Sequence, residues 1–321
     1  MERKKPLVVI VGPTAAGKTD AAIQTAISMD GEIISADSMQ IYRHMDIGTA
    51  KPSIEERRGI PHHLMDCIDP AEEFSVARYQ VLAKSAIADI SERGKLPILV
   101  GGTGLYVNSI VYPMDFTEAQ EDHEYRRQLM QMAEEKGKDA VYSILKESDP
   151  ATAAKLHPND IRRVIRALEV KHLTGREMSH YRQDFASLEV PYELIMIGIT
   201  MDRQRLYQRI NHRVDIMMQK GLPDEVKKLL DMGYSKDLTS MQGLGYKELI
   251  RYLEGEFSLE EAVEILKRDT RRFAKRQLTW FRRDTRIQWL NLDEIAPGTE
   301  FGCIISQIKK KLSSSMETNS I

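Results

Sequence analysis

Short, nearly continuous apolar runs recur along this 321-residue chain, and most lead through a turn into a stretch with helical spacing. The first run, VVIV at 8–11, is followed by Ala21, Ala22, Ile23, Ala26 and Ile27, which share one helical face. EIISA at 32–36, LPILV at 96–100 and YELIMIGIT at 192–200 are three more such runs. Runs apolar at nearly every position belong to strands covered on both faces, as in parallel sheets with helices on each side. Helices are predicted over 75–93, where Val76, Tyr79, Ala83, Ile87 and Ile90 recur at helical spacing, and over 202–220 and 259–280. Residues 40–69 break the pattern with Gly48, Pro52, Gly59 and Pro61, and read as a long loop region over a site. Residues 116–187 are rich in Glu, Gln, Lys, Arg and Met, carry helical periodicity and hold no convincing strand, as expected of an inserted helical domain.

The turn after the first run is GPTAAGKT, which fits G-x-x-x-x-G-K-[ST] from Gly12 to Thr19. Gly12, Pro13, Thr14, Ala15, Ala16 and Gly17 would form a loop whose N–H groups point at an anion, with the positive end of the next helix behind them. Lys18 would add a mobile charge and Thr19 a hydroxyl placed to ligate Mg²⁺. The expected fold class is therefore α/β: a P-loop NTPase-like parallel sheet flanked by helices, discontinuous over 1–115 and 188–311, with an all-helical insertion at 116–187. The tail at 312–321, LSSSMETNSI, is predicted to be disordered.

Two neighbouring turns narrow the chemistry. The second strand ends on Asp37 and Ser38, and in an open α/β sheet the ligand crevice lies beyond the carboxyl ends of the strands, so Asp37 faces the same cleft as the phosphate loop. A cap on the next turn is the plainer role for either residue. The third strand ends not in the metal-ordering Asp of an ATPase but in Gly101-Gly102-Thr103-Gly104, which weakens the case for nucleotide hydrolysis. There the backbone can approach a ligand closely, and Thr103 is the only hydrogen-bonding side chain. His62 and His63 have no second pair at metal-ligand spacing and read as structural or substrate-contacting.

The formal charge of -2 disguises basic clusters. Arg162, Arg163 and Arg166 begin one helix; Arg205, Arg209 and Arg213 recur every four residues in another; Lys267 to Arg283 interleaves basic residues with Phe273, Trp280 and Phe281. Such interleaving suits backbone phosphates and stacked unpaired bases. Two cysteines, Cys67 and Cys303, allow neither a disulfide framework nor a cysteine zinc site. No apolar run is long enough to span a membrane and none resembles a signal peptide, so no membrane contact and a cytoplasmic location are expected.

In unbroken order, GPTAAGKT, ISADSMQIYRHMDIGTAKP (34–52), PHHLMD (61–66), GGTGLY (101–106), RRVIRALEV (162–170), MQGLGYKE (241–248) and TRRFAKRQLTWFR (270–282) closely resemble the bacterial tRNA dimethylallyltransferase family. The resemblance implies transfer of a dimethylallyl group from dimethylallyl diphosphate to N6 of adenine 37, next to the anticodon, in tRNAs reading codons that start with U. It implies that the loop from Gly12 to Thr19 holds the diphosphate, with Mg²⁺ near Thr19, and that Asp37 is the general base. It further implies that Thr103 donates to the oxygen bridging the prenyl carbon and the diphosphate, and that Lys18 and Arg213, the latter chosen over Arg209 by motif alignment, neutralise the departing pyrophosphate. Asp37, Ser38, Met39, Gln40 and Thr103 match tRNA-contacting motifs, as do Arg162, Arg163, Val164, Ile165 and Arg166, and Gln242, Gly243, Leu244, Gly245, Tyr246 and Lys247. The insertion would grip the anticodon stem-loop, and the enzyme would act as a monomer. Ala16 departs from the family, which often has serine there.

Three other readings fit parts of the pattern: a small-molecule kinase with Asp37 orienting an acceptor hydroxyl, an adenylate isopentenyltransferase acting on free nucleotide, and a nucleotide-gated RNA-binding switch without transfer chemistry. The glycine-ended strand at 96–100 argues against the first, and the basic insertion argues against the second.

Overall fold

The apolar runs assemble into one six-stranded sheet in a computed structural model that describes residues 4–114, 122–181 and 189–318. Its strands are β1 (Pro6–Val11), β2 (Gly31–Ser35), β3 (His62–His63), β4 (Leu96–Gly101), β5 (Glu193–Thr200) and β6 (Gln288–Asn291), in the spatial order β3-β2-β4-β1-β5-β6, with every pairing parallel. Leu7 to Val11 are fully buried, as a central strand covered on both faces requires. Each such side chain stabilises the fold by roughly 1.5–3 kcal/mol through burial.

Small residues let the first helix approach this sheet. In α1 (Lys18–Met29), Ala21, Ala22, Ile23 and Ala26 pack on Val8, Ile10, Ile33 and Ile98. Helix α2 (Val76–Glu92) is capped by Ser75, whose hydroxyl accepts the Arg78 N–H at 3.2 Å. The glycine-rich turn after β4 opens α3 (Gly104–Val111). After β5, Asp202 caps α8 (Arg203–Gln219), and α9 (Leu222–Asp231), α10 (Tyr246–Leu253) and α11 (Leu259–Phe281) follow.

The chain divides into two compact units, Met1–Pro113 with Glu189–Ile321 and Met114–Leu188. Among its described residues the second unit contains helices and no strand: α4 (His123–Lys136), α5 (Lys138–Ser148), α6 (Pro150–Ala153) and α7 (Ile161–Thr174). Leu129, Val141, Leu145, Val164, Ile165 and Leu168 form its core. Glu169 is buried there, paired with Arg126 at 2.7 Å and with Arg166, and it accepts the Asp122 N–H at 2.8 Å.

Two expectations need correction. The tail expected to be disordered from 312 continues α12 (Glu300–Thr318); residues 319–321 lie outside the described residues. Phe301, Ile304, Ile308 and Leu312 recur at helical spacing and pack on the main core, and that stripe carries the helix into the serine-rich stretch. The long loop region contains a strand, β3, because the Ile33 N–H is bonded to the Pro61 carbonyl at 3.0 Å and draws His62 and His63 alongside β2. His63 is structural, its Nε2 lying 2.7 Å from the Glu32 carboxylate. No helix among the described residues is long and apolar enough to cross a membrane.

The end of β4 has no room for a side chain at Gly101. A Cβ on Gly101 would stand 2.1 Å from the carbonyl oxygen of Ala36, a backbone atom that cannot move aside. Gly101→Ala is expected to cost about 1–3 kcal/mol, measured by chemical denaturation against the wild type.

Candidate active site

Because β1, β2, β4 and β5 are parallel, their carboxyl ends meet along one edge, and each end delivers a different chemical group. β1 delivers the phosphate loop. Gly12 has φ 146°, Ala15 63° and Gly17 93°, so the chain curls through three left-handed positions in six residues. A Cβ on Gly12 would stand 2.4 Å from the Ile199 carbonyl oxygen, so the loop can leave the sheet this closely only as glycine. Ala16 is fully buried in the main core, which accounts for a small apolar residue there. Helix α1 begins without a side-chain cap, leaving its first-turn N–H groups for an anion.

Lys18 and Arg213 line the same cavity beside this loop. The Lys18 ammonium donates to the Pro13 carbonyl at 2.7 Å. Burial, and next the neighbouring Arg213 guanidinium, push the Lys18 amine down to about 7, while the Asp37 charge acts the other way. Burial likewise lowers Arg213, against the pull of Asp37 and Asp20. Arg209 instead braces the loop from outside, its Nε donating to the Ala15 carbonyl at 2.8 Å. Arg213 lines both cavities of this region, one of about 980 Å³ and one of about 350 Å³. The larger opens beside Lys18, Thr19 and Arg57; the smaller is bounded by Asp37, Thr103, Thr14 and Arg276.

β2 delivers Asp37 and Ser38, and β4 delivers Thr103. One Asp37 oxygen, Oδ1, accepts the Met39 N–H at 2.9 Å, so the residue also makes the local turn that is its plainer role. The Thr103 hydroxyl accepts the Ser38 N–H at 3.0 Å and donates to the Ser38 hydroxyl at 3.3 Å, which ties the two strand ends together. Asp37, Ser38, Met39, Thr103, Arg213 and the turn at 242–247 thus border a single cavity.

Other candidate residues are placed differently. Gln40 is buried, accepting from the Ser35 hydroxyl at 3.0 Å and donating to the Thr49 carbonyl at 3.3 Å, so its side chain holds the loop. Val164 and Ile165 are core residues of the helical unit, and Arg166 is paired with Glu169; Arg162 and Arg163 are exposed. Within the turn at 242–247, Gln242 is exposed, whereas Tyr246 is buried and donates to Glu225 at 2.7 Å.

Glu225 and Gln277 brace the loops of the site but carry no local signal of that role. Glu225 accepts the N–H groups of Asp46, Ile47 and Gly48 at 3.0, 2.8 and 3.1 Å, and so clasps the loop that borders both cavities. Gln277 stands with Ala274 and Phe281 on the buried face of α11. A lone amide in an apolar stripe signals a backbone partner without naming it.

A search of family models matches residues 40–284 to IPP transferase. The chain belongs to the IPP transferase family. Curated relatives of this IPP transferase include proteins named tRNA dimethylallyltransferase from Alkaliphilus oremlandii, 57% identical over 90% of this chain and 92% of the relative, and from Acetivibrio thermocellus, 55% identical over 90% and 92%. The fold matches the crystal structure of the full-length tRNA isopentenylpyrophosphate transferase from Bacillus halodurans, with TM-score 0.75 and 47% identity over 99% of this chain and all of that one. It also matches a eukaryotic dimethylallyltransferase described as acting on tRNA, with TM-score 0.80 and 32% identity over 98% of this chain and 80% of that one.

The lowered Lys18 fixes a sign for pH dependence. Its amine lies near 7 in the folded chain and near 10.5 ordinarily, so between those values the unfolded chain binds more protons and the ligand-free fold gains stability as pH rises. Chemical denaturation at pH 7 and pH 9 is expected to show that gain in the wild type and a smaller one in Lys18→Met; equal gains would place the amine at its ordinary value.

Proposed function

We propose that this IPP transferase moves a dimethylallyl group from dimethylallyl diphosphate to N6 of adenine 37 in tRNAs that read codons beginning with U, releasing diphosphate. The observation that carries this reading is the shared cavity: a carboxylate, Asp37, and a hydroxyl, Thr103, border the same space as the phosphate loop residue Thr14 and the cation Arg213. The N6 amine of adenine is a weak nucleophile, its lone pair being delocalised into the ring. As N6 bonds to the allylic carbon and the carbon–oxygen bond breaks, N6 loses a proton, which Asp37 accepts. The negative charge collecting on the diphosphate meets the loop N–H groups, Lys18 and Arg213, while Thr103 donates to the bridging oxygen.

Among the described residues no group of three His, Cys, Asp or Glu side chains could hold a metal by itself. The Thr19 hydroxyl, which lines the larger cavity, would hold Mg²⁺ arriving with the diphosphate. Bound there, Mg²⁺ supplies screening of the leaving group's charge. The adenine must leave its stack to reach Asp37, at a cost of a few kcal/mol. The exposed Arg162 and Arg163 of the helical unit would grip the anticodon stem-loop and offset that cost. The protein acts in this reading as a cytoplasmic monomer.

Incubation with unmodified tRNA, dimethylallyl diphosphate and Mg²⁺, followed by mass analysis of the nucleosides, should yield a prenylated adenosine. Asp37→Asn is expected to lower the rate by about 10²- to 10⁴-fold, with tRNA affinity within a few-fold of wild type by filter binding. Unchanged transfer by that variant would remove Asp37 from the chemistry.

A further inference from the structure

Gln277 is 5% exposed, and its carboxamide is engaged at both ends by backbone. Oε1 accepts the Thr14 N–H at 2.8 Å, and Nε2 donates to the Gly102 carbonyl at 3.1 Å. The two partners fix the amide's orientation, since one can only donate and the other only accept. Thr14 lies inside the phosphate loop. Gly102 immediately precedes Thr103, whose hydroxyl is bonded to Ser38 beside Asp37. One side chain from α11 therefore bridges the loop after β1 and the turn after β4, which no strand pairing holds together beyond Val11 and Gly101.

The fit is close. A Cβ on Gly102 would stand 2.0 Å from Gln277 Nε2, and one on Gly104 would stand 2.2 Å from the Trp280 indole, one helical turn further along α11. Anchoring α11 does not need this amide, because Leu266, Ala274 and Phe281 already bury its face. Glutamate would accept from Thr14 but turn lone pairs toward the Gly102 carbonyl, and methionine would leave both backbone groups without a partner.

We propose that Gln277 is a positioning residue, which fixes the spacing between the phosphate loop and the Thr103 hydroxyl so that the hydroxyl meets the bridging oxygen of a bound prenyl diphosphate. The inference rests on the function proposed above. It also assigns Thr14 an anchoring role: its N–H holds the loop's shape, and the diphosphate is left to the N–H groups after it and to Lys18. A misplacement near 1 Å at a reacting centre costs about 10²-fold in rate, whereas loop N–H groups that still surround the diphosphate preserve ground-state affinity.

The test is steady-state transfer to unmodified tRNA by wild type, Gln277→Met and Gln277→Glu, with the folded fraction of each measured by thermal melting. For Gln277→Met, kcat is expected to fall about 10- to 100-fold while KM for dimethylallyl diphosphate stays within about threefold. A purely structural role would instead lower the melting temperature and scale activity with the folded fraction; that result, or kcat within twofold of wild type, overturns the proposal. Should Gln277→Met not fold, Gln277→Glu carries the same test, because it keeps the shape and the Thr14 bond and removes only the donation to Gly102; wild-type kcat in that variant overturns the proposal as well. An inactive wild type would defeat the function itself, whereas an active wild type with equally active variants defeats only the role of Gln277.

Discussion

Two cations set side by side without a carboxylate partner are what the rest of this molecule is arranged around. Among the described residues, Lys18 and Arg213 form no ion pair; burial loosens the hold of each on its proton, and the Arg213 charge adds to that at Lys18. In a site partly closed to water that arrangement is unfavourable until an anion arrives, and a monovalent one would leave charge uncompensated. Asp37 moderates both groups from beyond ion-pair distance. The loop from Gly12 to Gly17, with left-handed positions at Gly12, Ala15 and Gly17, lies beside them.

The parallel sheet explains how unrelated segments converge there. Four carboxyl ends lie on one edge, so the phosphate loop, Asp37, Thr103 and the arginine helix α8 meet although they span two hundred residues of sequence. Rigidity comes from close approaches that only glycine allows: Gly12 against the Ile199 backbone, Gly101 against the Ala36 backbone, Gly104 against the Trp280 indole. Glu225 and Gln277 add the polar ties, each satisfying backbone groups of loops that no sheet bond reaches.

How much of this was legible in the sequence depended on whether the determinants were contiguous. VVIV followed by GPTAAGKT announces a strand and a phosphate loop within twelve residues, and the ends of EIISA and LPILV place Asp37 and Thr103 by the geometry of parallel sheets alone. Gln277 is legible only as an oddity, an amide on an apolar face, because its partners lie 263 and 175 residues away. Glu225 reads as one more surface acid beside Asp224. Treating a motif as a single functional block also swept in Val164 and Ile165, whose buried positions follow from helical period, and a run of three serines hid the apolar stripe that extends α12.

The central claim is that this phosphate loop serves a prenyl donor and not a nucleoside triphosphate as group donor. The most direct measurement offers both at once: γ-labelled ATP and prenyl-labelled dimethylallyl diphosphate, with Mg²⁺ and unmodified tRNA, followed by separation of RNA from small molecules. The account predicts prenyl label in the RNA and the ATP label unmoved; label transferred from ATP, with none from the prenyl donor, would contradict it.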